Sequence, residues 1–296
     1  MLFLSYQSLL FSCLAVFSKT SNTKLTRLHL ISFKNSDSLS APTNPNPLGT
    51  PFIELAAVTS TNSYAMFQVK ANTAAHGTAY FAHAQTAGRG QMGKVWRTAK
   101  GQNIILSLVA DTSHLGMHQQ FGLSMAVALG VYDFFSKYAG DESSVKWPND
   151  LYWRDRKAGG ILIESIIGSN TFGEPAWKWA IIGIGININQ TLFPPELINP
   201  VSLKQITGKQ LDTVALAKEL CACLEGRYQE FLHKGLAPIL SDYNAILYKK
   251  GQVIRLRKDN AAFNCTVLGV NEAGQLLVDG AMQPAFSHGE AEWVIL

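Results

Sequence analysis

The chain has 296 residues, enough for one large domain or for a large and a small domain with separate cores. Hydrophobic residues make up 47% and charged residues 16% of it, which excludes an intrinsically disordered chain. The net charge of +4 suits a protein that handles anionic ligands and is far below the dense basic charge of a nucleic-acid binder.

The first 49 residues stand apart from the rest of the chain. Residues 2–17 are largely apolar, as in a signal peptide or short membrane anchor, but no Lys or Arg precedes them. The run is also shorter than the roughly 20 residues that a membrane span needs. Residues 18–48 are rich in Ser, Thr, Asn and Pro, which is typical of a linker. We favour a start codon assigned too early over a membrane segment, and expect residues 1–49 to be disordered or absent from the working protein.

Predicted strands and helices alternate through the middle of the chain. Ser60-Thr61-Asn62 is suited to cap a helix, residues 118–139 have the spacing of a long helix with one buried face, and Asp212 can cap a helix that runs to about Leu232. The polar turn Arg154-Asp155-Arg156 predicts a hairpin. Strands are predicted at residues 52–58, 78–83, 103–110, 145–153, 160–167 and 179–188.

From residue 252 onward the pattern changes to short alternating runs separated by turns. Strands are predicted at residues 253–257, 263–270 and 275–278. This pattern indicates a small all-β barrel of about 45 residues attached to a central mixed α/β domain.

The cysteines indicate a reducing compartment. Cys221 and Cys223 lie in an apolar helical pattern, and neither has a Cys or His pair at metal-ligand spacing nearby. We therefore expect reduced thiols, no dedicated metal site and a cytoplasmic protein.

A glycine-rich loop follows the second predicted strand. Residues 88–96 read Gly-Arg-Gly-Gln-Met-Gly-Lys-Val-Trp, and three glycines within six residues let a backbone approach phosphates closely. Arg89 and Lys94 add positive charge, and Trp96 offers a flat face for a nucleobase. The spacing matches neither a P-loop nor a dinucleotide fingerprint, so taken alone the loop could be an ordinary surface loop.

Three further segments carry polar or glycine residues in strand-like runs. Residues 146–150, Lys-Trp-Pro-Asn-Asp, are predicted within a strand, where proline is tolerated mainly at an edge or bulge. Lys157 precedes the pair Gly159-Gly160, a setting that suits contact with a carboxylate or phosphate, although a solvated hairpin lysine is the common alternative. Residues 183–189 indicate a buried strand whose glycines leave room for a ligand.

In this order and at these intervals, the four segments resemble the biotin–protein ligase family. The resemblance runs from near Phe52 to the C-terminus, and residues 235–238 resemble the family's link to its last domain. It implies an α+β fold: a central mixed β-sheet with helices, like a class II synthetase, plus a C-terminal SH3-like β-barrel. The implied domains are an extension at 1–49, a catalytic domain at 50–249 and the barrel at 250–296. The region before Phe52 is too short for the DNA-binding domain of the family's repressor members.

The resemblance also implies a reaction. ATP activates biotin to biotinyl-5'-AMP, and a lysine of a biotin carboxyl carrier domain of an acyl-CoA carboxylase then displaces AMP. Mg²⁺ is expected with the ATP phosphates, which supply many of its ligands. No nucleic-acid or membrane partner is expected. Family members often dimerise through the central sheet, and the sequence leaves a homodimer open.

Roles for individual residues follow from the resemblance. Lys157 would contact both the biotin carboxylate and the α-phosphate, Arg89 would hold the adenylate, and Asp150 would orient the incoming lysine or take its proton. The implied biotin-binding residues are Ser60, Thr61, Asn62, Gln85, Gly88, Arg89, Gly90, Gln91, Lys157 and Gly160. The implied nucleotide-binding residues are Arg89, Lys94, Trp96, Asn149 and Asn187.

The glycine-rich loop departs from the family's pattern at two positions, and the sequence leaves two alternative functions open. Gln91 and Met92 stand where some family members carry arginine, so this loop is less basic. A lipoate–protein ligase shares the fold and the adenylating chemistry, whereas the Gly-Arg-Gly run and residues 146–150 favour biotin. A non-catalytic sensor of biotin or its adenylate is the other alternative, against which stands the presence of both Arg89 and Lys157.

Overall fold

The computed structural model describes residues 46–294, and the predictions for residues 1–45 lie outside the described residues. Two β-sheets organise this part of the chain, one of seven strands in the order β1-β2-β3-β7-β6-β5-β4 and one of five in the order β11-β10-β9-β8-β12. The larger sheet contains β1 (Phe52–Leu55), β2 (Ala79–Ala82), β3 (Asn103–Asp111), β4 (Ser143–Lys146), β5 (Asp150–Trp153), β6 (Arg156–Ser169) and β7 (Pro175–Asn187). The smaller contains β8 (Val253–Lys258), β9 (Ala261–Val270), β10 (Leu276–Asp279), β11 (Ala285–Phe286) and β12 (Glu292–Trp293).

The larger sheet is mixed, as predicted, because β1 and β2 run parallel while the other neighbours are antiparallel. Its register places residues from distant segments side by side. Gly183 lies opposite Ser107 of β3 and also opposite Leu162 of β6, and Gly185 lies opposite Gly160. The two central strands thus bring glycines to the middle of the sheet.

Helices cover both faces of this sheet. The helices are α1 (Thr61–Lys70), α2 (Gln120–Ala139), α3 (Leu203–Thr207), α4 (Thr213–Lys234) and α5 (Leu236–Ala245). Strand residues alternate between two clusters: Phe81 and Ile182 belong to the main core with α2 and α4, whereas Tyr80 and Ile181 pack with Ala65 of α1. Because α1 is short, it covers only part of its face, and the remainder of that face is open.

The five-stranded sheet at the C-terminus agrees with the predicted SH3-like barrel, and its core is continuous with that of the larger domain. Val267 and Phe286 belong to the same buried cluster as Leu123 of α2. The indole N–H of Trp147 donates to the carbonyl of Gly274 at 2.9 Å, and the Asn244 side chain pairs with both backbone groups of Val270. These contacts fix the barrel against the end of the larger sheet.

The structure corrects the prediction for residues 146–150. The chain does not continue as one strand from 145 to 153: β4 ends at Lys146, residues 147–149 turn back, and β5 begins at Asp150, which pairs with Lys146. Pro148 has no N–H to offer to a ladder, so a reversal there avoids losing a sheet hydrogen bond. Residues 147–149 are therefore the turn of a tight hairpin, with Lys146 and Asp150 paired at its base.

Two segments near the ends of the predicted catalytic domain have ordered structure of their own. Leu48 is only 3% exposed, and its N–H donates to the Glu225 carboxylate at 2.8 Å, so packing begins before Phe52. Residues 235–238, predicted as a link, open helix α5, with Pro238 in the first turn, where a missing N–H leaves no intrahelical partner unsatisfied. Within residues 46–294, no helix combines the length and apolarity required to cross a bilayer.

Candidate active site

A cleft of about 760 Å³ opens on the α1 face of the larger sheet. Its walls come from the start of α1, the glycine-rich loop, the β4–β5 hairpin, the middle of β7 and the last turn of the barrel. The structure brings together almost every predicted site residue here. Those lining the cleft are Ser60, Thr61, Asn62, Gln85, Arg89, Gly90, Gln91, Lys94, Trp96, Asn149, Asp150, Lys157, Gly160 and Asn187.

Gly88 is the predicted residue that does not line the cleft. A Cβ at this position would lie 2.2 Å from the Trp96 carbonyl oxygen, and the Gly88 carbonyl accepts the N–H of Trp96 at 3.0 Å. A second backbone bond, from the Gly90 N–H to the Lys94 carbonyl at 2.7 Å, closes the loop further. Gly88 therefore shapes the loop that presents its neighbours to the cleft.

The first turn of α1 supplies a buried polar corner. Ser60 caps the helix by accepting the N–H of Ser63, and Thr61 and Asn62 are 4% and 3% exposed. The Thr61 N–H donates to the Gln85 side-chain oxygen at 2.8 Å. Asn62 reaches down to the sheet, where a Cβ on Gly183 would lie 2.2 Å from its Oδ1. A glycine at 183 is thus what lets α1 approach the sheet so closely.

Two residues absent from the sequence predictions hold this corner from behind. The Ser107 hydroxyl on β3 lies 2.8 Å from Thr61 Oγ1 and 2.6 Å from Asn62 Oδ1. The Asn62 amide donates to Glu164 Oε2 at 2.9 Å, and the other oxygen of Glu164 pairs with Arg89 at 2.9 Å. Glu164 therefore links the glycine-rich loop to α1.

Trp96 lies flat over the second sheet glycine. A Cβ on Gly185 would lie 2.4 Å from Trp96 Cε2, so the indole rests directly on strand backbone. The Trp96 indole N–H is buried and has no hydrogen-bond partner among residues 46–294. Leaving such a donor buried without a partner costs about 1–3 kcal/mol.

An ion pair occupies the floor of the cleft. Lys157 Nζ lies 2.6 Å from Asp150 Oδ1, and Gly160 sits beside both groups. Asp150 is 18% and Lys157 34% exposed at the side chain, so both remain open to a ligand. The floor of the cleft therefore holds the Lys157 ammonium and the Asp150 carboxylate, which are hydrogen-bonded to each other.

Lys146 is a further cation of the cleft, and the sequence predictions did not assign it to the site. Its ammonium lies 5.5 Å from the Tyr152 ring and 5.0 Å from the Trp293 ring, the latter contributed by the barrel. Burial lowers the pKa of Lys146 to about 8, an effect that the nearby Asp150 carboxylate partly opposes. A ligand anion in the cleft would favour the charged form of this lysine.

The two predicted asparagines have structural partners as well as places in the wall. The Asn149 amide donates to the Ile161 carbonyl at 2.6 Å, and the Asn187 amide donates to the Val201 carbonyl at 3.1 Å. Each side chain thus braces the backbone next to the cleft. The barrel adds His288, whose pKa is lowered by burial and by the Lys94 charge.

Known proteins resemble most of this chain. Residues 54–187 match the model of the biotin/lipoate A/B protein ligase family. The bifunctional ligase/repressor BirA of Bacillus spizizenii is 32% identical over 78% of this chain and 70% of its own length. The biotin–[acetyl-CoA-carboxylase] ligase of Paracoccus denitrificans is 31% identical over 76% of this chain and 93% of its own length.

A solved structure has the same fold. A point mutant of the biotin protein ligase from Aquifex aeolicus, in complex with biotin, superposes with a TM-score of 0.67 at 24% identity, over 82% of this chain and 97% of that one. At that identity the likeness concerns the fold alone, whereas the relatives above share sequence over most of their length. The ordered segments, the cleft that they line and these relatives together place the chain in the biotin–protein ligase family.

Proposed function

We propose that the chain activates biotin with ATP to biotinyl-5'-AMP and transfers the biotinyl group to a lysine of a carrier protein. The observation that carries the proposal is the convergence of four distant segments on one cleft, with a polar corner at one end and the Lys157–Asp150 pair on the floor. The polar corner suits a small ring with hydrogen-bonding groups. The floor suits a carboxylate and a phosphoryl group.

The first step joins two anions. A biotin carboxylate oxygen attacks the α-phosphorus of ATP, the bond to the bridging oxygen breaks, and pyrophosphate leaves with its electron pair. No proton moves in this step, so the protein contributes alignment and positive charge. In our proposal Lys157 contacts both reacting groups, Arg89 and Lys94 hold the nucleotide from the loop, and Trp96 packs near the adenine.

The second step transfers the acyl group. The neutral amine of the acceptor lysine attacks the carbonyl carbon of the mixed anhydride, an amide bond forms, and AMP leaves as an anion. The amine must lose a proton, and Asp150 is the carboxylate on the cleft floor that can orient or accept it. Lys157 beside it offsets the charge on the departing phosphate.

Mg²⁺ enters this proposal as part of the ATP complex. Among residues 46–294 there is no group of three or more His, Cys, Asp or Glu residues arranged to hold a metal ion. The phosphates would supply most of the ligands, and the ion would offset their charge.

The acceptor in this proposal is the biotin carboxyl carrier domain of an acyl-CoA carboxylase in the cytoplasm. Support comes from relatives that are named biotin–[acetyl-CoA-carboxylase] ligases. The sequence leaves a homodimer through the central sheet open, and light scattering with and without biotin and ATP measures whether one forms.

The test measures both steps on the full chain. Pyrophosphate release from ATP is followed with biotin, with lipoate and with neither, and a carrier domain is then added and analysed by mass spectrometry for the mass of one biotinyl group. Biotin-dependent release followed by modification of the carrier supports a ligase. Release without transfer points to a sensor, and release that depends on lipoate instead of biotin overturns the choice of substrate.

A further inference from the structure

The last turn of the barrel places a histidine at the mouth of the cleft. His288 lines the cleft and is exposed there, within the turn formed by residues 287–290. Its ring lies 6.2 Å from the Trp147 ring and almost perpendicular to it. On the other side of the turn, the Met92 methyl group of the glycine-rich loop lies 3.6 Å from the position of a Cβ on Gly289. His288 therefore lies between the β4–β5 hairpin and the tip of the loop.

Hydrogen bonds fix the turn that carries this histidine. The Glu290 N–H donates to the Ser287 carbonyl at 3.0 Å, and the Ser287 N–H donates to the Glu290 carboxylate at 2.8 Å. The Gln275 amide donates to the Ser287 hydroxyl at 3.3 Å. Trp147 is itself tied to the barrel by its bond to the Gly274 carbonyl. The fold thus sets the position of the imidazole before any ligand binds.

Two groups of the cleft can take a proton from an incoming amine, and they differ in how they are engaged. Asp150 Oδ1 lies 2.6 Å from Lys157 Nζ, and the charge of Lys146 is also nearby. To accept a proton, Asp150 would have to give up this ion pair. His288 has no such partner, because neither of its ring nitrogens forms a hydrogen bond or ion pair within residues 46–294.

The charged groups around His288 leave its ring free to act as a base. Partial burial and the Lys94 charge lower the pKa of His288 from its ordinary value of 6.5, and the Asp150 charge opposes them. The Glu290 carboxylate is used within the turn, and the Glu292 carboxylate is paired with an arginine of β8. The imidazole therefore takes a proton from solvent less readily than an ordinary histidine does.

The path left for an acceptor lysine passes this histidine. In the proposed function, the polar corner at the start of α1 holds the biotin ring and the glycine-rich loop holds the nucleotide. The wall that remains consists of the β4–β5 hairpin and the end of the barrel, including His288 and Trp293. A lysine that reaches the cleft floor along this wall brings its amine beside the imidazole.

We propose that His288 is the catalytic base of the transfer step, and that Asp150 orients the incoming lysine. The proposal rests on the proposed function. The nitrogen of the neutral amine bonds to the carbonyl carbon, the bond from that carbon to the phosphate oxygen breaks, and AMP leaves with its electron pair. The proton that the nitrogen loses passes to a ring nitrogen of His288 and from the exposed ring to solvent.

The experiment measures the two steps separately on the full chain. Adenylate formation is followed by biotin-dependent pyrophosphate release, and transfer by adding a carrier domain to the chain loaded with biotinyl-5'-AMP in a single turnover. We expect His288→Gln, which keeps a hydrogen-bonding side chain but offers no base, to slow transfer at least about 100-fold and to leave adenylate formation within about twofold. His118→Gln, at an exposed histidine that does not line the cleft, should change neither step.

Three readouts distinguish a base from a group that only supports the structure. Free imidazole should restore transfer in His288→Ala, where the missing side chain leaves room for it. Hydroxylamine is a weakly basic amine whose nitrogen loses its proton to water without help, so as a substitute acceptor it should react equally with the unmodified chain and with His288→Gln. In the unmodified chain, the plot of log transfer rate against pH should steepen below pH 6.5 as His288 gains a proton, and His288→Gln should lack this steepening.

The outcomes separate this proposal from the proposed function. Transfer at the unmodified rate in His288→Gln overturns the proposal, and so does a slowed transfer that neither imidazole nor hydroxylamine relieves. Equal slowing of both steps would assign His288 to the nucleotide and also overturns it. If the unmodified chain releases no pyrophosphate in response to biotin, the proposed function itself fails.

Discussion

At the scale of single residues, Lys157 is the side chain whose removal should be most specific to catalysis. It contributes a positive charge to the cleft floor, and its side chain is 34% exposed. We expect Lys157→Met to reduce biotin-dependent pyrophosphate release by at least about 100-fold, because a preorganised positive charge at the α-phosphate is lost. Single-turnover assays of adenylate formation measure this directly.

The matched control for that variant is Lys178→Met, a partly exposed lysine of β7 that packs over Gly168 at the other end of the sheet. It should leave pyrophosphate release within about twofold of the unmodified chain. Unchanged adenylate formation in Lys157→Met would falsify the role that we assign to this residue.

Lys146 should make stability depend on pH in an unusual direction. Burial lowers the pKa of Lys146 to about 8 from its ordinary value of 10.5, so between these values the unfolded chain binds more protons than the folded one. The free energy of unfolding therefore rises with pH across that window, and below pH 8 the full cost of burying the cation is present. At 1.36 kcal/mol per pKa unit, this cost is about 3 kcal/mol.

Lys146→Met should remove that cost while keeping contact with the Tyr152 and Trp293 rings. We expect a higher free energy of unfolding at pH 7, with the difference shrinking toward pH 10, measured by urea titration at several pH values. Lys100→Met, at an exposed loop position, serves as the control. A variant that is less stable than the unmodified chain at pH 7 would contradict the assignment.

The sequence could indicate the residues of the cleft but not all of their roles. Lys157, Arg89 and Asp150 stand in segments that resemble a known family, and the structure places all three at one cleft. Ser107 and Glu164 sit in ordinary strand patterns, and only the register of β3, β6 and β7 brings them behind the polar corner. Lys146 belongs to residues 146–150, one of the four segments that resemble the family. Its burial depends on Trp293, which is 147 positions away in the chain.

At the scale of secondary-structure elements, Gly185 in the middle of β7 lets Trp96 of the glycine-rich loop pack directly on the strand. We expect Gly185→Ala to displace Trp96, because the new Cβ would lie 2.4 Å from the indole. Displacement of about 1 Å can lower a rate about 100-fold. The kcat/KM for ATP should therefore fall strongly, with a smaller effect on Tm.

Gly226→Ala is the control for that substitution. Gly226 lies inside α4, and no heavy atom lies within 4 Å of an added Cβ. Replacing a helical glycine by alanine stabilises by about 0.5–1 kcal/mol, so this variant should gain stability and keep full activity. The prediction for Gly185 is wrong if both variants retain the kcat/KM of the unmodified chain.

Elements were predictable where the periodicity was long and unbroken. Helix α2 has apolar positions spaced by three and four over 20 residues, and β3 and β7 are long apolar runs. The β4–β5 hairpin was wrongly predicted as one strand, because residues on both sides of Pro148 have strand character and only pairing reveals the reversal. Strand β12 is two residues long, too short for any alternation to be read from it.

At the scale of the whole molecule, the barrel and the larger domain should unfold together. Val267 and Phe286 of the barrel share one buried cluster with Leu123, and the Trp147 indole bonds across the boundary to Gly274. A continuous core predicts a single cooperative transition. Near-UV and far-UV circular dichroism should therefore give the same thermal midpoint.

Trp147→Phe makes this prediction sharper. It removes the hydrogen bond to the Gly274 carbonyl while keeping an aromatic ring, so it should destabilise by about 1–3 kcal/mol without splitting the transition. Two separate transitions, in the unmodified chain or in this variant, would show instead that the barrel is an independent folding unit.

The two glycines in the middle of β7 limit how the binding site can be redesigned. Gly183 and Gly185 are already covered by Asn62 and Trp96, so neither position can be altered to accommodate a bulkier vitamin analogue. Extra volume must come from the aliphatic wall, where Ile105, Leu162 and Ile184 line the same cleft. Laboratory evolution toward larger reporter-bearing substrates should accordingly accumulate truncations at these three aliphatic positions and leave both glycines untouched.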